Sequence, residues 1–320
     1  MKTETRIVGL GHKLPRRIVK NDDPVFQVEQ GHPLAPLFAG YRERRWLGAE
    51  EDFLELGAEA ARAAIDQAAI GVNDISVLTG GLSVSRHCAP HDLFFLHQRL
   101  KLGAACAVLP IADEFTTFIA GLQLARDHGS RCRSHSLIVC GSNWSRHVCA
   151  SEPVAWSIGD AAGAAVVQSH ATRPGWCIGE TAWSVCSELA GIMRMTQSAE
   201  RVLGPAICFV MELEANELFR SWGRTAPCQL VEGLLKRHGI PSAEVTPIAH
   251  QATRYLLDHW RERLKPGEML DTLSDFGNMT LASTLVTLSV KQADISTRYV
   301  VLLGLGLGIH AGAVLLERRH

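Results

Sequence analysis

The chain has 320 residues, with 32 Lys and Arg against 33 Asp and Glu and a formal net charge of −1; such a balance gives no long-range field for a nucleic-acid backbone or an anionic membrane surface. Hydrophobic residues at 47% with 20% charged describe a globular protein long enough to bury its core without disulfides. The nine cysteines are odd in number and scattered without a C-x-x-C pair, so they are expected as reduced, mostly buried thiols with no metal site, and no apolar run reaches the ~18 residues of a membrane span, which makes a cytoplasmic address the expectation.

Short apolar runs ending in Gly or turn residues alternate with stretches of helical period, the pattern of an α/β protein with a mostly parallel sheet covered on both faces. In the first part of the chain, strands are predicted at 6–11, 75–85, 107–112, 136–141 and 163–168, and helices at 51–69, 92–102 and 115–128. The second part gives strands at 176–182, 206–213, 247–250, 269–275, 298–304 and 312–317, with helices at 214–237, 253–264 and 279–293. Each helix has apolar residues at i, i+3, i+4 spacing. The order of the second set roughly repeats the first, which predicts two similar halves, residues 1–171 and 172–320, around a shared core. The stretch 22–40, rich in Pro, Gly and His, reads as an irregular loop.

Three strand-to-helix turns could carry chemistry. In the first, Leu109 to Phe118, a side chain would sit on exposed helix-end N–H groups and the positive end of the dipole, a place that stabilises anions and lowers a thiol's pKa. Phe115 stands there, flanked by Glu114 and Thr116. In the second, an apolar strand ends in His250 just before a helix; in the third, Asn278 occupies the equivalent place. Carboxyl ends of sheet strands are where open α/β sheets usually bind ligands. A His and an Asn together can give two hydrogen bonds to one developing oxyanion.

Six segments then fall into a familiar order: Gly9 to Pro15, Gly40 to Arg45, Gly159 to Ala164, His250-Gln251-Ala252, Gly277 to Ser283 and Gly304 to Gly312. In sequence and order they resemble β-ketoacyl carrier-protein synthase III enzymes of the thiolase superfamily, across nearly the whole chain. The resemblance implies the thiolase fold, two βαβαβ halves in a five-layered α-β-α-β-α body. It also implies a Cys, His and Asn catalytic set in which His250 and Asn278 take the last two places and the backbone at Gly306 and Gly308 completes an oxyanion hole. The family's cysteine position falls on Phe115, and one residue either way gives Glu114 or Thr116. A phenyl ring has no lone pair to attack a thioester, so covalent catalysis through an acyl-cysteine is excluded at that position. The adenine-stacking Trp and its Arg partner correspond to Leu34 and Phe38, so the family's clamp for coenzyme A is not reproduced.

The resemblance thus implies acyl or malonyl thioesters of a carrier protein or of coenzyme A as substrates, with no bound cofactor, and acyl transfer or decarboxylation without an acyl-enzyme. Arg42, Arg44 and Arg45 are candidates to dock a phosphopantetheine arm or an acidic carrier protein. The competing reading is a catalytically inactive subunit paired with a cysteine-containing ketosynthase paralogue; a homodimer is the other assembly expected. Blander readings stand beside these: His250 as a strand-end histidine, Asn278 as a helix cap, Phe115 as a core aromatic in line with Phe118 and Leu122, Glu114 as a first-turn acid and Thr116 as a local backbone partner. Replacement chemistry from Glu114, or from Thr116 as a hydroxyl nucleophile activated by His250, is a third option. His310 has no role assigned by pattern.

Overall fold

The computed structural model describes residues 4–29, 31–129, 134–197 and 207–320; Cys132 and the first residue of the strand expected at 206–213 lie outside them. The first part of the chain contributes β1 (Arg6–Lys13), a small ribbon of β2 (Arg17–Lys20) and β3 (Glu43–Trp46), α1 (Phe53–Ala68), β4 (Ile75–Ser83), α2 (Asp92–Leu100), β5 (Ala107–Pro110), α3 (Thr117–Gly129), β6 (His135–Ser142) and β7 (Ala161–Gln168). The second contributes β8 (Gly175–Val185), a ribbon of β9 (Met193–Gln197) and β10 (Ile207–Met211), α4 (Ala215–Arg220), α5 (Trp222–His238), β11 (Val245–Ala249), α6 (Arg254–Leu264), α7 (Leu273–Phe276), α8 (Ser283–Lys291), β12 (Tyr299–Gly306) and β13 (His310–Arg319).

Nine strands run in the order β11-β12-β13-β8-β1-β7-β6-β4-β5, but β8 and β1 meet through just two residue pairs, Arg6 with Cys177 and Ile7 with Trp176. On either side of that joint the order repeats. The opening strand (β1 or β8) lies at the joint, the closing strand (β7 or β13) next, then β6 or β12, then β4 or β11. Helices α3 and α8 each touch both groups of strands and form the middle layer. Helices α1 and α2 cover the outer face of the first group, and α5, with α6 packed on it, covers the second. The body therefore has the five α-β-α-β-α layers expected.

The sheet is not mostly parallel: three of its eight pairings are parallel, β4 with β5, β4 with β6 and β11 with β12. The continuous apolar runs record burial on both faces, which the five layers impose on antiparallel strands too. Glycine spacing in the first motif has a packing cause. A Cβ on Gly9 or Gly11 would stand 2.3 Å from the carbonyl oxygen of Ala64 or Ala60, so β1 and the alanine face of α1 approach at backbone distance. Helix α1 is capped by Asp52, whose side chain accepts from the Leu54 N–H, and α6 by Thr253, which accepts from the Leu256 N–H.

Two expected elements come out differently. The helix predicted at 214–237 is broken at Ser221, which leaves helical geometry with ψ −90° while its hydroxyl donates to the Glu217 carbonyl. Pro227 removes a donor further on, and the Trp260 indole N–H takes the Gly223 carbonyl at 3.0 Å instead. The strand predicted at 269–275 does not form. Its neighbour β11 carries Pro247 on that edge and has no N–H to offer there, while Thr272 N–H goes to the Gln251 side chain and Leu273 N–H to Asp271. The ribbons β2–β3 and β9–β10 add strands that were not expected at 17–20, 43–46 and 193–197. No helix among the described residues is long and apolar enough to cross a membrane.

Candidate active site

Phe115 lies in a single 3-10 turn, Glu114–Thr116, that leads directly into α3. Its approach is set by glycine: a Cβ on Gly304, in β12, would stand 2.7 Å from the Thr116 methyl and 3.0 Å from the Phe115 carbonyl oxygen. The Phe115 ring is 4.4 Å from the His250 ring and 5.3 Å from Trp144, centroid to centroid, and Trp144 continues the series to Phe209 at 5.1 Å. Together they wall a cavity of about 30 Å³ that His250 and Asn278 also line, and no cysteine among the described residues lines it. A couple of water molecules would fill that space.

His250 follows β11, whose last turn is pinned by the His250 N–H bond to the Leu303 carbonyl at 2.6 Å. Asn278 follows α7 and Gly277, which has φ +70°, and its backbone N–H donates to the Ser157 carbonyl at 2.6 Å. The two side chains meet: His250 Nε2 is 2.8 Å from Asn278 Oδ1. That oxygen also accepts the Thr280 backbone N–H at 2.9 Å, which fixes the amide orientation. His250 therefore carries its hydrogen on Nε2 and donates it to Asn278, leaving the Asn278 Nδ2–H group as the polar donor nearest the cavity. His250 Nδ1 is buried without a hydrogen bond of regular geometry. Burial pushes the imidazole pKa down to about 4, against the smaller opposing effects of Asn278 and the Leu305 backbone, so the ring is neutral near pH 7.

The flanking residues divide. Thr116 is fully buried and turns away from His250: its hydroxyl is 2.6 Å from Asp113 Oδ2 and 2.6 Å from His310 Nε2. His310 Nε2 also faces Asp113 Oδ1 at 2.9 Å. A nitrogen facing a carboxylate carries the hydrogen, so the Thr116 proton goes to Asp113. The expectation that His250 would activate Thr116 is corrected, because a different histidine, one that sequence pattern left without a role, holds that hydroxyl. Glu114 Oε1 accepts from Ser83 Oγ at 3.2 Å and Oε2 is buried without a partner; burial pushes this carboxyl up to about 7.

Of the expected oxyanion glycines, Gly306 ends β12 just beyond Leu305, which lines the cavity, whereas Gly308 is exposed on the turn to β13. A Cβ on Gly306 would stand 2.1 Å from the His310 ring. The arginines divide too. Arg42 is exposed and pairs with Asp275; Arg45 is half-buried. Arg44 is 0% exposed, donates to the Val19 and Trp156 carbonyls and to Asn21, and lies over the Phe26 ring. As a surface docking residue Arg44 is therefore corrected: aromatic and carbonyl groups enclose it. Leu34 and Phe38 are both buried, Phe38 against the His250 cavity. Burial pushes the thiols of Cys106, Cys140, Cys177 and Cys228 up, Cys140 and Cys228 to about 12, which keeps them protonated and poor nucleophiles.

No family model matches the chain. It is 26% identical over 330 residues to the β-ketoacyl-(acyl-carrier-protein) synthase III of Methylococcus capsulatus, taking in 99% of the chain and 100% of that protein. It is 25% identical over 330 residues to an acetoacetyl CoA synthase of a Streptomyces strain, with 98% of each covered. Among solved structures it superposes on the 3-oxoacyl-(acyl carrier protein) synthase III of Pseudomonas aeruginosa with a TM-score of 0.83 at 21% identity, covering 98% of both chains. The priming β-ketosynthase of a polyketide biosynthetic pathway gives a TM-score of 0.85 at 21% identity, covering 98% of this chain and 96% of the other. The chain has the thiolase fold.

Proposed function

We propose that this protein is a ketosynthase III-like acyltransferase that handles acyl and malonyl thioesters, on a carrier protein or coenzyme A, without an acyl-cysteine. One observation carries the reading: His250 and Asn278 are held together and line one cavity with the Phe115 ring, which stands where a nucleophile would. The end-to-end similarity to ketoacyl synthases III supports the substrate class. In the proposed reaction a malonyl thioester presents its carbonyl oxygen to Asn278 Nδ2–H and to His250 Nε2–H, the latter turned from Asn278 Oδ1. The carboxylate carbon–carbon bond breaks, carbon dioxide leaves, and its electron pair forms the enolate that those donors stabilise. The enolate carbon then attacks the acyl carbonyl of a second thioester directly, and the thiol of that donor departs as thiolate. Neutral His250 suits a donor that need not give up its proton.

Purified protein incubated with malonyl and acyl thioesters of carrier protein or coenzyme A should release carbon dioxide and form the β-ketoacyl product, and His250→Ala should remove both. No turnover with any donor, or an unchanged rate in His250→Ala, sinks the reading. The fit of Phe115 into the cavity supports a second one, an inactive subunit that pairs with an active ketosynthase in place of a homodimer. Co-expression with a cysteine-containing paralogue separates the two: a chain that stays homomeric beside that paralogue rules the second out.

A further inference from the structure

Beside the Phe115 ring the chain buries a carboxyl that the chemistry above does not use. Glu114 has φ +44°, in the left-handed region that side-chain-bearing residues rarely adopt. Its Oε1 accepts from Ser83 Oγ at 3.2 Å and its Oε2 is buried without a partner. The charge that bears on it is Asp113, of the same sign. Ser83 Oγ in turn accepts from Trp144 Nε1 at 3.0 Å, and the Trp144 ring packs on Phe115 and Phe209 at the wall of the His250 cavity. One line of donors thus runs from the Trp144 N–H through the Ser83 hydroxyl to the Glu114 carboxyl.

We propose that Glu114 is a positioning residue for this site: through Ser83 it sets how firmly Trp144, and with it the Phe115 ring over His250, is held, firmly when the carboxyl is ionised and loosely when it is neutral. A charged acceptor makes a hydrogen bond about twice as strong as a neutral one, and the strengthened Ser83 bond polarises the hydroxyl that receives the indole N–H. Both forms are populated near neutrality because burial, helped by Asp113, raises the carboxyl to about 7.

Other ionisable groups face this region. Asp113 is tied to His310, and His250, across Phe115, is neutral above about 4. On the far side of Trp144, Asp160 accepts from the Ser145 N–H and is raised by burial to about 6, and His147 is lowered by burial. Strand β12 and the Thr280–Ala282 turn, both packed on the Glu114 turn, bring no charged side chain.

The inference deepens the site reading above, but its test needs no turnover, so an inactive protein that still shows the effect sinks the reaction alone. The measurement is the emission of the full-length protein minus that of Trp144→Phe, titrated from pH 5 to pH 9. The expected result is a spectral shift with its midpoint near pH 7 that disappears in Glu114→Gln and in Ser83→Ala and persists in Asp160→Asn. A flat difference spectrum, or a titration that survives Glu114→Gln, overturns the proposal. If Glu114→Gln does not fold, Ser83→Ala cuts the link while leaving both ends in place, and a titration that survives in it overturns the proposal equally.

Discussion

Replacing Phe115 with Cys asks whether a ring is all that separates this site from one with a thiol. The side chain is 7% exposed and packs on both His250 and Trp144. Truncating a buried phenylalanine to alanine costs ~3–5 kcal/mol; cysteine keeps one heavy atom beyond Cβ, so the lower end, about 3 kcal/mol, applies. For a chain of this size that lowers the melting temperature by roughly 5–10 °C. The new thiol would stand on the turn into α3, where helix-end N–H groups stabilise a thiolate, in the place the Phe115 ring holds against His250. Intact-mass spectrometry after incubation with acyl thioesters should show one added acyl group on Phe115→Cys and none on the native protein or on Phe115→Ala. Two results would refute the reasoning. A folded Phe115→Cys that no donor acylates means the remaining groups do not form an electrophile site, and a melting temperature equal to the native value means the ring does not pack as described.

Most of the architecture was legible because burial writes itself into hydrophobic period. The apolar runs that became β4, β6, β7, β12 and β13 sit between two helical layers, and helices α1, α2, α3 and α6 fall within a few residues of their predicted spans. Direction of pairing was not legible, since a strand buried on both faces reads the same in either sense. The missing strand at 269–275 was hidden because its loss depends on Pro247 in a different element and on side chains from Gln251 and Arg254 that claim Thr272 and Asp271. At the site, the residue types were enough to bring Phe115, His250 and Asn278 to one cavity, although Asn278 comes after the short helix α7 and Gly277 and not after the strand expected there. The pairing of Thr116 with His310 joins positions 194 apart in sequence, and no local pattern marks it; the signal available was the Gly306 to Gly308 turn, which must lie flat for the His310 ring to reach back. Arg44 carried the opposite lesson. Three arginines within four residues look like surface until one of them is found buried among Tyr41, Phe26 and three oxygen acceptors.

Three further outcomes follow from the same contacts. Gly306→Ala sets a methyl 2.1 Å from the His310 ring, and overpacking of that kind costs ~1–3 kcal/mol; a thermal melt matching the native protein would mean the turn is free to shift. Thr116→Val keeps the shape but takes a donor from Asp113, a loss of ~1–2 kcal/mol, and in the Phe115→Cys background it should leave acylation intact; lost acylation would give the hydroxyl a chemical role. Glu114→Gln should stabilise the protein in a pH-dependent way. The folded carboxyl titrates near 7 against 4.5 for an ordinary glutamate, so between those values the folded state binds more protons than the unfolded one, and native stability falls as pH rises through that window. At 1.36 kcal/mol per unit the penalty above pH 7 is ~3–3.5 kcal/mol, and a glutamine does not carry it. His250 runs the other way: its folded value of about 4 lies below the usual 6.5, so its contribution is full above 6.5 and is lost as pH falls toward 4. It does so equally in both proteins and cancels in the comparison. Urea unfolding should therefore show Glu114→Gln and the native protein alike at pH 4 and separated by about 3–3.5 kcal/mol at pH 8.5. An equal separation at both values would mean that the carboxyl titrates alike in the folded and unfolded chain, and that burial beside Phe115 does not hold its proton.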